Sequence, residues 1–294
     1  MSLLTLRSFI EVFRARSISA AARNLGLTQP AVSGHVASLE AQVGRTLFLR
    51  QARGVEPTPF AEDLALEIGD SLDQAEEALA KARVRSTHVS GVVYVTGPAE
   101  LMAERVAPAI KSLQDAGLDI RVQLGGKDAI YGGFRDGKVD LAFTASTPED
   151  PQLASQFVGS ERLVAVASPA QIKKLTTAPD LASVLRAEPL LAYDTDLPLI
   201  RDWMGANGMS IQGTLPSVTA PDLRMLRALV ISGAGWSVLP DYLIETAVTK
   251  GDLGVIPAPK MEPTNAFHLV WSKSALRHPR IARARDVLLE SWTG

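Results

Sequence analysis

The sequence predicts an α/β protein of two unlike parts: a small, basic, helical head and a larger body of alternating strands and helices, joined by one long helix. Three observations carry this. Residues 1–58 hold seven arginines against three glutamates, a balance of +4, whereas the whole chain of 294 residues is −2, so the rest is −6. A short helix, a glycine and a capped third helix follow one another within that head. Beyond Gly91, apolar β-type runs alternate with helical periodicity, the pattern of a mainly parallel sheet flanked by helices.

The head begins with Leu6, Phe9, Ile10 and Phe13 at helical spacing. Ser19 is placed to cap a second helix, Ala20 to Leu25, which Gly26 ends. Thr28 is placed to cap a third, with Pro30 in its first turn, where a missing N–H costs nothing. Val32, Val36, Leu39 and Val43 give that helix one buried stripe. Its other face is small and polar: Gln29, Ser33, Gly34, Ala37 and Ser38. Small residues allow a helix backbone to sit deep in a major groove while Gln29 and Ser33 reach bases or phosphates. The segment Leu47–Thr58 reads as a two-stranded hairpin around Arg53-Gly54, a wing with arginines at its tip. A plain helical bundle with a polar face would share the helices. The all-arginine basic set and the wing favour DNA, since the guanidinium fork suits phosphate and guanine.

At this point the residues resemble the N-terminal signature of LysR-type transcriptional regulators. The matching pieces are Ala21-Ala22, Leu25, Thr28-Gln29-Pro30-Ala31-Val32-Ser33, Leu39-Glu40, Gly44, Leu47-Phe48 and Arg50, in order and spacing. The resemblance implies a winged helix-turn-helix. It gives as candidate DNA-contacting residues Ser19, Thr28, Gln29, Pro30, Ser33, Gly34, His35, Arg50 and Arg53. Three departures stand out. Gly34 and His35 occupy positions where members often carry a long polar or basic side chain next to the motif serine. Arg16 replaces a frequent glycine before the second helix, and Thr58-Pro59-Phe60-Ala61 replaces the usual Thr-x-Ala-Gly.

From Phe60 to Arg85 there is no proline and a single glycine, Gly69. Leu64, Ile68, Leu72, Ala75, Leu79 and Ala82 form one apolar seam along a long helix. A head of this size is expected to leave that seam uncovered, so a helix from a second chain is the expected cover. The resemblance agrees, implying a linker helix that dimerises. The alternative is a helix folded back on its own domain. Arg83 to His88 then lead to a hinge at Ser90-Gly91. The expected domains are 1–58 (DNA-binding), 59–89 (linker) and 90–294 (effector-binding). Within the last, lobe I takes 90–162 and 265–294 and lobe II takes 163–264.

In the body, strands are expected at Gly91–Thr96, Ile120–Leu124, Val139–Thr144, Leu163–Ala167, Leu190–Tyr193, Ser237–Leu239 and Ala266–Ser272. Helices are expected over 100–116, 127–136, 197–206, 222–232, 241–249 and 279–292. The resemblance implies two lobes like those of periplasmic binding proteins, with a small-molecule effector between them. Open α/β sheets bind ligands beyond the carboxyl ends of their strands. The candidate effector residues there are Pro98, Ala99, Glu100, Lys127, Asp128, Ser146, Asp194, Thr195, Thr219 and Asp222. Each also has a bland reading as loop-end polarity, and Asp222 as a simple helix cap. Glu100, Asp128, Asp194, Asp196 and Asp222 outnumber Lys127, so the expected effector carries a positive group, such as an amino acid amine.

Other functions fit less well. The chain has no cysteine, which excludes disulfides and thiolate sites and suits a reducing cytoplasm. Four scattered histidines lack metal-ligand spacing, and no Gly-x-Ser-x-Gly or Walker loop occurs, so neither an enzyme nor a cofactor is expected. Asp194-Thr195-Asp196 is weak as a cation site. A solute-binding protein would need an export signal and no basic head; Arg7 and Glu11 interrupt the opening apolar stretch. No membrane span is expected. The expected partners are double-stranded DNA, a small-molecule effector, RNA polymerase and further copies of the chain, as homodimer or homotetramer.

Overall fold

A computed structural model describes residues 2–51, 54–84, 89–176 and 180–292. The chain divides into two units. One comprises Met1–Val89, Asp150–Gln152 and Ser272–Arg283; the other comprises Ser90–Glu149, Leu153–Trp271 and Ala284–Gly294.

The first unit opens with α1 (Leu3–Ala15), α2 (Ile18–Leu25) and α3 (Gln29–Val43). Ser17, not Ser19, caps α2, its side chain accepting from the Ala20 N–H. Thr28 caps α3 as expected, accepting from the Ala31 N–H. Arg16 ends α1 at φ 50°, a left-handed conformation that glycine adopts without strain. This locates the cost of the departure from glycine there, and the Arg16 guanidinium lies 4.6 Å from the Phe13 ring centre in partial return. The wing is β1 (Phe48–Gln51) antiparallel to β2 (Gly54–Pro57). Gly54 is required there: its φ is 96°, and a Cβ would lie 2.4 Å from the Arg16 carbonyl oxygen. Arg53 falls outside the described residues.

The long helix, α4 (Pro59–Val84), corrects one expectation. Leu64, Ile68 and Leu72 pack on the head's own core of Phe9, Ile10, Val32, Val36 and Leu39, as do Ala61 and Ala65. The head therefore covers the first half of the seam. Farther along, Ala75 and Leu79 are exposed. The Ala82 side chain and Arg85–His88 lie outside what the structure describes.

A buried ion network ties α1 to α4. Arg7, only 2% exposed, donates from Nη1 to Asp73 Oδ1 at 2.8 Å and sits 3.2 Å from Glu11 and 3.4 Å from Glu76. Arg14 takes the other Asp73 oxygen, and Arg277, on a 3₁₀ turn (Lys273–Arg277) of the same unit, reaches Glu11 at 3.5 Å. Burial alone would push the Asp73 carboxyl up, but Arg14 and Arg7 hold it below the usual aspartate range.

The second unit is α/β. β3 (Gly91–Gly97), β4 (Leu118–Leu124) and β5 (Leu141–Thr144) are parallel neighbours. Between β3 and β4 the chain runs through α5 (Ala99–Leu101), a π-helical turn (Met102–Val106) and α6 (Ala107–Asp115). After α7 (Lys127–Arg135) and β5 comes β6 (Leu153–Ala167), longer than its expected stretch because its first half is polar and half-solvated. Its second half is buried on both faces. Leu163 and Ala165 enter one core, with Trp203 and Trp236; Val164 and Val166 enter another, with Leu226 and Leu239. α8 (Pro169–Thr176) and α9 (Leu181–Ala187), not expected from the sequence, follow. The remainder runs β7 (Leu191–Ala192), α10 (Pro198–Ala206), β8 (Val218–Thr219), α11 (Leu223–Ile231), β9 (Ser237–Pro240), α12 (Asp241–Thr249), β10 (Gly254–Val255), β11 (Thr264–Ser272) and α13 (Pro279–Trp292). The main sheet has the order β10-β6-β11-β5-β3-β4, with β9 also on β6; β7 and β8 pair separately in parallel. β6 and β11 thus join the β3–β5 lobe to the β7–β10 lobe.

Candidate functional site

Two sets of residues are candidates. On the head, Gln29 and Pro30 are exposed at the start of α3. Ser19 donates its hydroxyl to Gln29 Oε1 at 3.1 Å, which positions the amide. Ser33 is half-buried. Beside it Gly34 is exposed, and a Cβ built there would meet nothing within 4 Å. The face is therefore open and shallow, as close approach of a nucleic-acid backbone requires. Arg50 is exposed on the wing. His35 is placed differently: its Nδ1 is 2.8 Å from the hydroxyl of Ser8, a buried residue of α1. That contact braces α3 against α1.

In the second unit, parallel pairing brings the carboxyl ends of β3, β4 and β5 together, and likewise those of β7 and β8. Glu100 lies just beyond β3 and is 6% exposed. Burial pushes its carboxyl above the usual range; its own backbone N–H and Arg224 pull it down, while Asp222 pushes it up. Asp222 caps α11 and binds Arg224 in a fork, Nε to Oδ1 at 3.0 Å and Nη2 to Oδ2 at 2.7 Å. Tyr193, beyond β7, is pushed up by burial and by Glu100, Asp194 and Asp222. A Cβ at Gly126, the residue opening α7, would meet the Tyr193 hydroxyl at 3.5 Å. These relations bring Glu100 and Gly126 of one lobe close to Tyr193, Asp222 and Arg224 of the other.

The match to known proteins decides the family. Residues 3–62 match the model for bacterial regulatory helix-turn-helix proteins of the lysR family, and residues 86–293 match the LysR substrate binding domain. The chain belongs to the LysR family of transcriptional regulators. This LysR-type regulator is 34% identical to the HTH-type transcriptional regulator AbaB of Streptomyces antibioticus, covering 100% of this chain and 99% of that one. Its fold is similar to that of full-length LysG from Corynebacterium glutamicum with bound effector Arg, at a TM-score of 0.63 and 18% identity, over 100% and 98% of the two chains. CrgA from Neisseria meningitidis gives a TM-score of 0.61 at 22% identity, over the full length of both. The protein is a DNA-binding regulator with an effector domain, not an enzyme.

Asp194 Oδ1 accepts the N–H groups of Asp196 and Leu197, so this carboxylate is committed to its own turn. No group of three or more metal-ligating side chains occurs among the described residues. Ser146 sits 3.0 Å from the Thr144 hydroxyl and 3.3 Å from that of Tyr131, at the end of β5. Lys127 and Asp128 are exposed, and Lys127 reaches toward Glu149 at 4.0 Å. Thr195 and Thr219 are exposed, while Pro98 and Ala99 are half-buried at the start of α5. Tyr193, Arg224 and Glu161 were not among the expected residues. Glu161, 5% exposed on β6, accepts from Asn265 on β11 at 3.1 Å, a bond between the two strands that join the lobes. Burial pushes it up to about 7, with Glu100 and Asp241 adding to the effect against Asn265 and Arg105. A helix following a strand gives a signal for Arg224 only through its cap, Asp222. Nothing local marks Glu161.

Proposed function

We propose that this regulator reads its operator with the open face of α3 and the wing, and that a small cationic metabolite bound between its lobes sets the outcome. Gln29 and Ser33 read bases or phosphates, Ser19 orients Gln29, and Thr28 and Pro30 fix the helix start against the backbone. Arg50 and Arg53 hold phosphates along the wing. Gly34 admits the duplex closely, and His35 acts through its brace to Ser8. The single observation that carries this is the exposed Gln29, anchored by Ser19, next to an unobstructed Gly34.

Residues 1–58 serve as the DNA-binding domain, 59–89 as the linker and 90–294 as the effector domain. The effector contacts come from Pro98, Ala99, Glu100, Lys127, Asp128, Ser146, Asp194, Thr195, Thr219 and Asp222. An amino acid is the favoured class, a reading that the arginine-bound relative supports. Effector binding shifts the balance between two arrangements of the lobes, which requires different affinity for each. The chain acts in the cytoplasm as a homodimer or homotetramer and works with RNA polymerase at the promoter. No helix among the described residues is long and apolar enough to cross a membrane.

An electrophoretic shift with DNA from around its own gene tests the reading. A salt-sensitive shift is expected, because arginine–phosphate contacts release counterions. Gln29→Ala should relax sequence preference by about 1–3 kcal/mol. No shift at low salt, with or without metabolites, would sink the proposal.

A further inference from the structure

We propose that Glu100 fixes the chemical class of the effector by receiving its ammonium or guanidinium group inside the cleft. The inference rests on the cleft being the effector site and narrows the acidic rim to one residue. Each of the other carboxylates there has a partner or lies in solvent. Asp222 is held by Arg224 and by the α11 backbone. Asp194 is held by two N–H groups of its own turn. Asp128 and Asp196 are exposed. Glu161, the buried neighbour, is engaged by Asn265.

Among the described residues Glu100 is buried without an ion pair: it is 6% exposed, and its carboxylate is held by its own backbone N–H only. An ionised carboxylate in that state is costly to fold around. Arg224 spends its fork on Asp222 and acts on Glu100 only as a more distant charge. A ligand cation between Glu100 and Tyr193 would supply the missing partner. It would also gain from Asp222 across the cleft, whereas an anion would meet both carboxylates.

Burial holds the Glu100 carboxyl above its ordinary range, so cation binding should weaken as pH falls. A cleft cation thus couples occupancy to ionisation of a group that the empty cleft disfavours.

The test is thermal shift and titration calorimetry on the full chain with L-arginine, L-lysine, agmatine and cadaverine, against succinate and benzoate. Only the cations should stabilise the wild type; agmatine and cadaverine, lacking a carboxylate, tell whether the amine end suffices. Glu100→Gln should weaken the best cation at least tenfold without lowering the ligand-free melting midpoint. Arg224→Ala, at a half-exposed site, should tighten it by removing a tethered competitor, and this arm decides should Glu100→Gln fail to fold. Stabilisation by the anions, silence from all four cations, an undiminished cation response in Glu100→Gln, or a loss of cation binding in Arg224→Ala would overturn the proposal. DNA shifts without effector separate the two readings. Failure of the wild type to bind DNA would fail the regulator reading instead.

Discussion

At the residue scale, the second unit keeps two buried carboxylates where apolar side chains would fold more stably. Glu161 carries the clearer consequence. Its ordinary value is 4.5 and burial raises it to about 7 in the folded chain. Between those values the folded state holds the extra proton, so the stability tied to Glu161 is complete below about pH 4.5 and is lost as pH rises through 7. The full cost above pH 7 is about 3 kcal/mol, one pH unit being worth about 1.4. Glu161→Gln keeps an acceptor for Asn265 and should therefore raise the melting midpoint at pH 8, with the gain fading toward pH 4.5. A gain that did not vary with pH would refute this account. Neither its burial nor Asn265 as its partner was legible in the sequence, since the two residues are 104 positions apart.

At the element scale, the helices were legible where periodicity and caps agreed and misplaced where two caps competed. Ser17 and Ser19 both fit the start of α2; the fold gives the cap to Ser17, leaving Ser19 free to hold Gln29. β6 was half seen because only its second half is apolar. α8 and α9 went unread: short and flanked by prolines and threonines, they lack a long apolar repeat. Gly69, mid-way along α4, offers a test of what holds that helix. A Cβ there would meet Ile10 Cδ1 at 3.7 Å, an ordinary contact. Gly69→Ala should therefore stabilise the protein by about 1 kcal/mol, the helix-propensity difference, read as a raised denaturation midpoint. A drop would mean that α4 packs on α1 more closely than this geometry allows.

At the scale of the whole molecule, the long helix has two environments. Its first half is occupied by the head's own core, so it cannot also serve as a free dimer seam. Leu79, 51% exposed, remains available for a second chain. Covering one leucine is worth about 1.5–3 kcal/mol per chain. Leu79→Glu should accordingly shift the sedimentation profile toward monomer and weaken operator binding, with the melting midpoint of each subunit little changed. An unaltered profile would move the interface elsewhere.

The sequence by itself determined the family, the capped third helix, the wing and the α/β order of the body. These depend on local rules: glycine at a left-handed position, an oxygen before a helix, apolar residues at a fixed period. Tertiary structure alone decided which of the loop-end acids is buried. Asp194, Asp222 and Glu100 look alike as loop-end acids in the chain. The first two take their partners from their own turns, whereas Glu100 is buried without an ion pair, because burial depends on segments far apart in sequence.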